Sequence, residues 1–519
     1  MYNFHTEIPT QFVLPRRINR LGQLAYNLWW TWGPEASRLF LRIDPILWEK
    51  TYHNPIRFLN QVDQPRLKNL THDRYFLDHY DRVMRLFDDY MRPSETWFSR
   101  AHGAQRGKVV AYFSSEFGLH ETMPIYAGGL GVLSGDHVKG ASDVGLPMVS
   151  VGFLYTQGYF TQHISEDGWQ EARHQRLKFE EMPVLPLLNA EGKPLTISVE
   201  LPGRNVLARL WEVRVGRVPL YLLDSDVDGN SPWDRELTSK LYISDLELRI
   251  SQEIILGIGG VRALRLLGYS PDIWHMNEGH SAFMALERAR ELVAAGSTFT
   301  EAAEQVRHSS VFTTHTPVPA GSDEFPHWLI DKYFSNLWPQ LGLDREQFVD
   351  LARNRQPWGG ETFSMPILAL RHAEHRNGVS ELHGQVARKM WNYLWPDIPE
   401  EQVPITHITN GVHSGTWLAR RLRALFERYL GPGWMEHLDD PATWGRIENI
   451  PDAELWAVRR HLKRKLVYYM RERAREQWQA AGTHPVQIIA SGAMLDPYSL
   501  TIGFARRFAT YKRANLVLS

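Results

Sequence analysis

Five short apolar runs, at residues 109–113, 147–153, 272–275, 309–313 and 403–408, each precede or follow a stretch of helical periodicity. This alternation constrains the fold more than any other feature of the chain, because strands buried on both faces and separated by helices are the pattern of an α/β protein with a mostly parallel, doubly wound sheet. Residues 192–223 depart from it: short alternating stretches such as Val206-Leu207-Ala208-Arg209-Leu210-Trp211 predict an antiparallel insertion near 190–225. Residues 1–100 predict a helical region. Within 17–48, Ile18, Leu21, Leu24, Ala25 and Leu28 keep i, i+3, i+4 spacing before Trp29, Trp30 and Trp32, with an end near Pro45.

The resulting plan is a helical region at 1–100, an α/β domain at 101–450, a bridging helix at 451–485 and the start of a further α/β domain at 486–519. Leu455, Val458, Leu462, Leu466 and Tyr469 keep helical spacing along the bridge. Residues 499–505 predict a strand and 511–518 the helix after it. One strand and part of a helix cannot bury their own apolar faces, so the expectation is a second domain begun and not completed.

Charge excludes some functions. With 58 basic and 59 acidic residues the net charge is -1, so no global field draws the chain to nucleic acid or anionic lipid. Cysteine is absent, which removes disulfides, thiolate nucleophiles and Cys-ligated zinc. The N-terminal residues lack an apolar signal region, and no run reaches the about 18 apolar residues of a membrane span, so a cytoplasmic, soluble protein is expected. Trp, Tyr and Phe form 12% of the chain, which suits sugar-stacking clefts and large cores equally.

Several segments carry candidate chemistry. Residues 127–133 (Ala-Gly-Gly-Leu-Gly-Val-Leu) lie between a predicted strand and helix, where backbone N–H groups can meet an anion or the glycines can simply form a turn. Gly257, Gly259 and Gly260 fall inside helical periodicity, the wrong context for a dinucleotide loop, and read as close helix packing. The turn at 226–230 (Asp-Val-Asp-Gly-Asn) reads as an Asx-rich turn, with cation binding or gating of a cleft as the alternatives.

Three strand ends, at 275–280, 312–317 and 407–413, bring His, Asn and Glu to places where ligands of open α/β sheets bind. Their spacing matches no zinc motif. Four cations among residues 506–513 (Arg506, Arg507, Lys512 and Arg513) sit at a predicted helix N-terminus, where positive charge calls for an anion or for solvent.

Together these segments resemble the α-glucan phosphorylases, most closely the shorter bacterial type with an extra N-terminal helical region. The resemblance runs along nearly the whole chain through Ser115-Glu116-Phe117, Gly128-Gly129-Leu130-Gly131, Gly158-Tyr159-Phe160, Asp167-Gly168-Trp169-Gln170, Thr314-His315-Thr316, Thr409-Asn410-Gly411-Val412 and Tyr511-Lys512-Arg513. It implies a Rossmann-like, glycosyltransferase-B type fold, retaining phosphorolysis of an α-1,4-glucan to glucose 1-phosphate, and a pyridoxal 5'-phosphate cofactor whose phosphate supports proton transfer.

By the same resemblance Gly128 and Gly129 present backbone donors to the cofactor phosphate, and His315 and Asn410 hold the transferred glucosyl unit. Leu130, Glu278 and Tyr511 border the substrate, and Arg507 and Lys512 bind the phosphate nucleophile. Ala127 and Val132 stand where many members carry asparagine and arginine.

The family's Schiff-base lysine lies beyond residue 519, so no lysine here takes that role, and the chain alone is expected not to retain the cofactor stably. The implied partners are glucan and inorganic phosphate, with a homo-oligomer or a complementary C-terminal chain in addition. Two other readings remain: a sugar-nucleotide-dependent glycogen synthase-like transferase, and a non-catalytic glucan-binding fragment.

Overall fold

The computed structural model describes residues 5–6, 12–33, 35–92, 96–165, 167–318, 321–355, 360–480, 486, 495–506 and 512–518. The chain forms two units, Met1–Thr416 and Trp417–Ser519. The first is built on a sheet whose parallel strands are β1 (Val110–Phe113), β2 (Met148–Phe153), β3 (Val218–Asp224), β4 (Ile273–Asn277), β5 (Ser310–Thr314), β6 (His375–Gly378) and β7 (Thr406–His407). Their spatial order is β3-β2-β1-β4-β5-β6-β7. This is the doubly wound, Rossmann-like order, with a reversal of direction between β1 and β4. Every residue of β2 is buried, as expected of a strand covered by helices on both faces.

The expected insertion forms as antiparallel strands: Arg204–Val215 pairs with β3, and Thr196–Leu201 and Leu185–Leu188 pair with Arg204–Val215. The glycines at 257–260 lie in and beside a single π-turn, Ile255–Gly259, between the helices Leu246–Ile254 and Gly260–Leu266. A Cβ on Gly257 would meet the Met284 backbone nitrogen at 2.7 Å, and one on Gly260 would meet the Phe113 ring at 2.5 Å. Close packing is therefore what these glycines permit.

The N-terminal region is helical, but 17–48 is not one helix. It divides into Arg16–Ile18, Leu21–Ala25, Leu28–Thr31, Ala36–Ile43 and Pro45–Lys50. Asn27 interrupts it by accepting from Trp29 N and by exchanging two 3.0 Å hydrogen bonds with the backbone of Gly216. Pro45 starts a helix rather than ending one: Asp44 caps it through Ile46 N and Leu47 N, and proline in the first turn needs no N–H partner. The same device recurs at Asn54-Pro55. Between these short helices Trp30, Phe40, Trp48 and Phe58 pack ring against ring, with Phe40 stacked on Trp48 at 5.2 Å. Side-chain packing thus outweighs helical periodicity here.

In the second unit Leu425, Phe426, Leu430, Trp434 and Ile450 form a small core, and the long helix spans Asp452–Ala480. The strand expected at 499–505 does not form: residues 501–506 have no regular structure, and Ala514–Val517 is a single 3-10 turn. A strand holds its backbone groups only through a neighbour, and no strand exists among the described residues of this unit. Among all described residues no helix is long and apolar enough to cross a membrane.

Candidate functional site

Ligands of open α/β sheets bind beyond the carboxyl ends of the strands where the strand order reverses, here between β1 and β4. The segments leaving β1, β4 and β5 bond one another and the Gly129–Val144 helix there, and the segment leaving β7 bonds the same helix at Asp136, Lys139 and Asp143. That helix begins at Gly128 without a side-chain cap and ends at Gly145, whose φ of +74° closes a left-handed C-terminal turn. A Cβ on Gly128 or Gly129 would touch nothing within 4 Å. Open space and uncapped first-turn N–H groups make this end of the helix a fit for a phosphate group.

The glycine loop is fastened from behind. Glu116, 1% exposed, accepts from Ala127 N at 2.7 Å, from Gly128 N at 3.4 Å and from the hydroxyl of Tyr242. Tyr242 itself takes a left-handed φ of +59°. Gly131 must lack a side chain, since a Cβ there would lie 2.5 Å from Tyr126 Cβ and 2.7 Å from the Glu116 carboxylate. Leu130 stands in the first turn of the helix and is partly buried; its carbonyl accepts from Ser134 Oγ at 3.0 Å.

Glu278, at the end of β4, adopts φ 77° and ψ 169°, a region otherwise almost reserved for glycine. Its Oε2 accepts from His315 N (2.8 Å), Thr316 N (3.1 Å) and Thr316 Oγ1 (3.0 Å), and its Oε1 accepts from Gly279 N (3.2 Å). Burial pushes its pKa up, and the bonds from His315, Thr316 and Gly279 restrain that rise. The carboxylate is thus spent on the loop after β5, and Glu278 positions His315.

His315 donates from Nε2 to Asn277 Oδ1 at 2.7 Å, and Asn277 Nδ2 donates in turn to Ser134 Oγ at 2.9 Å. Burial, aided by His383, pulls the His315 pKa down to about 4, so the ring is neutral at pH 7. With Nε2–H committed, Nδ1 is a lone-pair acceptor. Burial likewise lowers His280, whose Nε2 accepts from Ser115 N at 3.0 Å, and His275, which bonds Thr313 Oγ1 at 2.8 Å, each to about 3.

Asn410 is exposed, with its backbone N–H bonded to Val379 O at 3.0 Å beyond β6. Gly128, Gly129, Leu130, Glu278, His315 and Asn410 all lie in the first unit. Lys512 lies in the second, where it is partly buried, and Arg507 and Tyr511 fall outside the described residues. The turn at 226–230 is held structurally. Asp226 pairs with Arg235 at 2.6 Å and with Arg176, and buried Asn230 bonds Leu207 and Ser225.

Sequence reasoning gave no role to Tyr242, Ser134 or the charged face Asp136, Lys139, Asp143, and it read Asn277 within a hydroxyl-recognition motif rather than as the partner of His315. The signal for that face was present: charges at i, i+3 and i+7 in a helix otherwise rich in small residues.

Residues 14–123 match a family described as a protein of unknown function, DUF3417. The chain is 42% identical to a maltodextrin phosphorylase of Thermococcus litoralis over 98% of its length, and covers 59% of that protein. It is 40% identical to a glycogen phosphorylase of Aquifex aeolicus (96% of this chain, 70% of the relative). A glycogen phosphorylase of Mycobacterium tuberculosis is 42% identical, with 97% and 60% covered. The chain spans about three-fifths of the Thermococcus and Mycobacterium relatives. A doubly wound sheet, an uncapped glycine-led helix at its switch point and this likeness across nearly every residue lead to one conclusion: the chain belongs to the glycogen and maltodextrin phosphorylase family.

Proposed function

We propose that this chain carries the glucosyl-binding side and the cofactor-phosphate cradle of an α-1,4-glucan phosphorylase, which uses inorganic phosphate to release glucose 1-phosphate with retention. The observation that carries the reading is the meeting, at one switch point, of an open helix N-terminus at Gly128–Gly129 with a neutral His315 held by Glu278. The helix end suits a dianionic phosphate, and the neutral imidazole suits a hydroxyl.

In this reading Gly128 and Gly129 hold the phosphate of pyridoxal 5'-phosphate by backbone N–H groups, Gly128 giving up its long 3.4 Å bond to Glu116 to do so. When bound, that phosphate supplies proton exchange with the substrate phosphate. The chain's own residues orient the sugar: His315 Nδ1 accepts from a glucosyl hydroxyl, and the exposed Asn410 amide offers a second contact. Leu130 gives the sugar an apolar edge, and Glu278 keeps the His315 loop in register. By the family resemblance alone, Arg507, Tyr511 and Lys512 are assigned to the substrate phosphate, an anion that cations suit. Cytoplasmic location belongs to this proposal.

Amide exchange of the chain in maltoheptaose and inorganic phosphate, with and without pyridoxal phosphate, tests the reading. Slower exchange in peptides covering 128–131 and 409–411 is expected. Unchanged exchange in both, together with no phosphate release from glucose 1-phosphate and maltooligosaccharide, overturns it.

A further inference from the structure

From the helical N-terminal region, Trp32 and Tyr90 reach the helix Gly129–Val144. Trp32 is buried, and its indole N–H donates to Asp143 Oδ1 at 3.0 Å while its ring stands edge-on to His413 at 5.4 Å. Asp143 Oδ2 accepts from His413 Nε2 at 2.9 Å. Two further residues of the same helix face grip the same segment. Asp136 Oδ2 accepts from His413 N at 3.1 Å, and fully buried Lys139 donates to Thr416 Oγ1 at 3.1 Å and to Leu119 O at 2.6 Å.

Thr416 Oγ1 also bonds His413 Nδ1 at 2.8 Å, and Lys139 Nζ lies 5.6 Å from the Trp32 ring centre. From the DUF3417 segment Tyr90 adds a 2.8 Å bond to Asp143 Oδ1 and is itself stacked by Arg217 at 3.9 Å. Residues 136, 139 and 143 stand at helical spacing, so one rigid face holds residues 413–416. The opposite end of that helix is the Gly128–Gly129 cradle.

Residues 409–412 are exposed, and Val412 keeps 73% of its surface accessible. Their ties are Asn410 N to Val379 O on one side and His413 on the other. A loop with so little burial takes its order from its anchors. We propose that Trp32 is a positioning residue for the Asn410 loop: through Asp143 and His413 the N-terminal region holds the glucosyl-binding loop at a fixed distance from the phosphate cradle. Asp143 is the shared acceptor. Although burial opposes its charge, its bonds from His413, Tyr90 and Trp32 hold its pKa below the usual carboxylate range. The inference rests on the proposed role of Asn410 for its functional meaning, but the brace itself does not.

Hydrogen exchange on Trp32→Phe, Trp32→Ala and Asp143→Ala in the full 519-residue chain tests it. Trp32→Phe keeps a ring against His413 and loses only the N–H, so it serves if the alanine variants do not fold. Exchange in peptides covering 409–416 is expected to rise about tenfold in Trp32→Phe, the factor of one lost charge-assisted hydrogen bond, with β1 and β4 unchanged. Unchanged exchange at 409–416 in Trp32→Phe, or a uniform rise over the whole unit, overturns the proposal.

Maltoheptaose binding separates the two readings. If the loop loosens and affinity falls with it, both stand; if the loop loosens and affinity holds, the brace stands and the sugar-binding role of Asn410 fails.

Discussion

Glu278→Gln should release the His315 loop without emptying the site. Glu278 Oε2 takes three donors, from His315 N, Thr316 N and Thr316 Oγ1, and Oε1 takes Gly279 N. A glutamine can turn its carbonyl toward the three, but its NH2 then faces the Gly279 N–H, donor against donor. Bonds to a charged acceptor contribute about 1.5–3 kcal/mol and neutral ones about 0.5–1.5, so three weakened bonds cost about 3 kcal/mol.

Removing a buried charge returns part of that, because burial raises the pKa of Glu278. The net local loss is about 2 kcal/mol, or about 30-fold in the opening equilibrium of the loop. Native-state hydrogen exchange at the amides of His315 and Thr316 reads this directly. Exchange within about threefold of wild type at both amides, on a folded variant, refutes the claim that this carboxylate holds the loop.

Gly129→Ala should stabilise the helix by about 0.4–1 kcal/mol, since the added Cβ meets nothing, while weakening phosphate protection of residues 128–131. Gly135→Ala should destabilise by more than about 3 kcal/mol, because its Cβ would lie 2.1 Å from Gly118 O; urea unfolding of the two variants side by side checks both. Acid should destabilise the first unit. His275, His280 and His315 have folded pKa values of about 3, 3 and 4, below the ordinary 6.5, so the unfolded chain binds protons first. Stability is complete above pH 6.5 and falls as pH drops toward 4, by up to about 4 kcal/mol per pH unit from three sites. Glu278, raised rather than lowered, acts in the opposite sense just above its ordinary 4.5. A urea midpoint equal at pH 7 and pH 5 would contradict the burial of these rings.

Sequence alone determined part of the main sheet: it gave no sign of β6, whose residues His375–Gly378 are polar, and it placed 218–223 in the antiparallel insertion, whereas β3 also pairs parallel with β2. The runs at 109–113, 147–153, 272–275 and 309–313 became parallel strands because a strand covered on both faces must be largely apolar, and that is local information, whereas 403–408 yields only the exposed pair Thr406–His407. The strand-end motifs were legible for the same reason: polar residues directly after such a strand have few places to be except the crevice. Where local pattern and packing disagreed, packing prevailed. The 17–48 periodicity describes one helix, yet the Trp30, Phe40, Trp48 and Phe58 rings fill a core only if the chain turns between them.

What only the tertiary structure decided is which polar groups meet. Glu278 belongs to a motif whose residues suit hydroxyl recognition, but its carboxylate is consumed by amides 37 and 38 residues away. Trp32 reads as one more core aromatic, but it donates to Asp143 across 111 residues of sequence. Hydrogen-bond partners so far apart leave no periodic trace, because their geometry exists only after the sheet has brought distant loops to one edge.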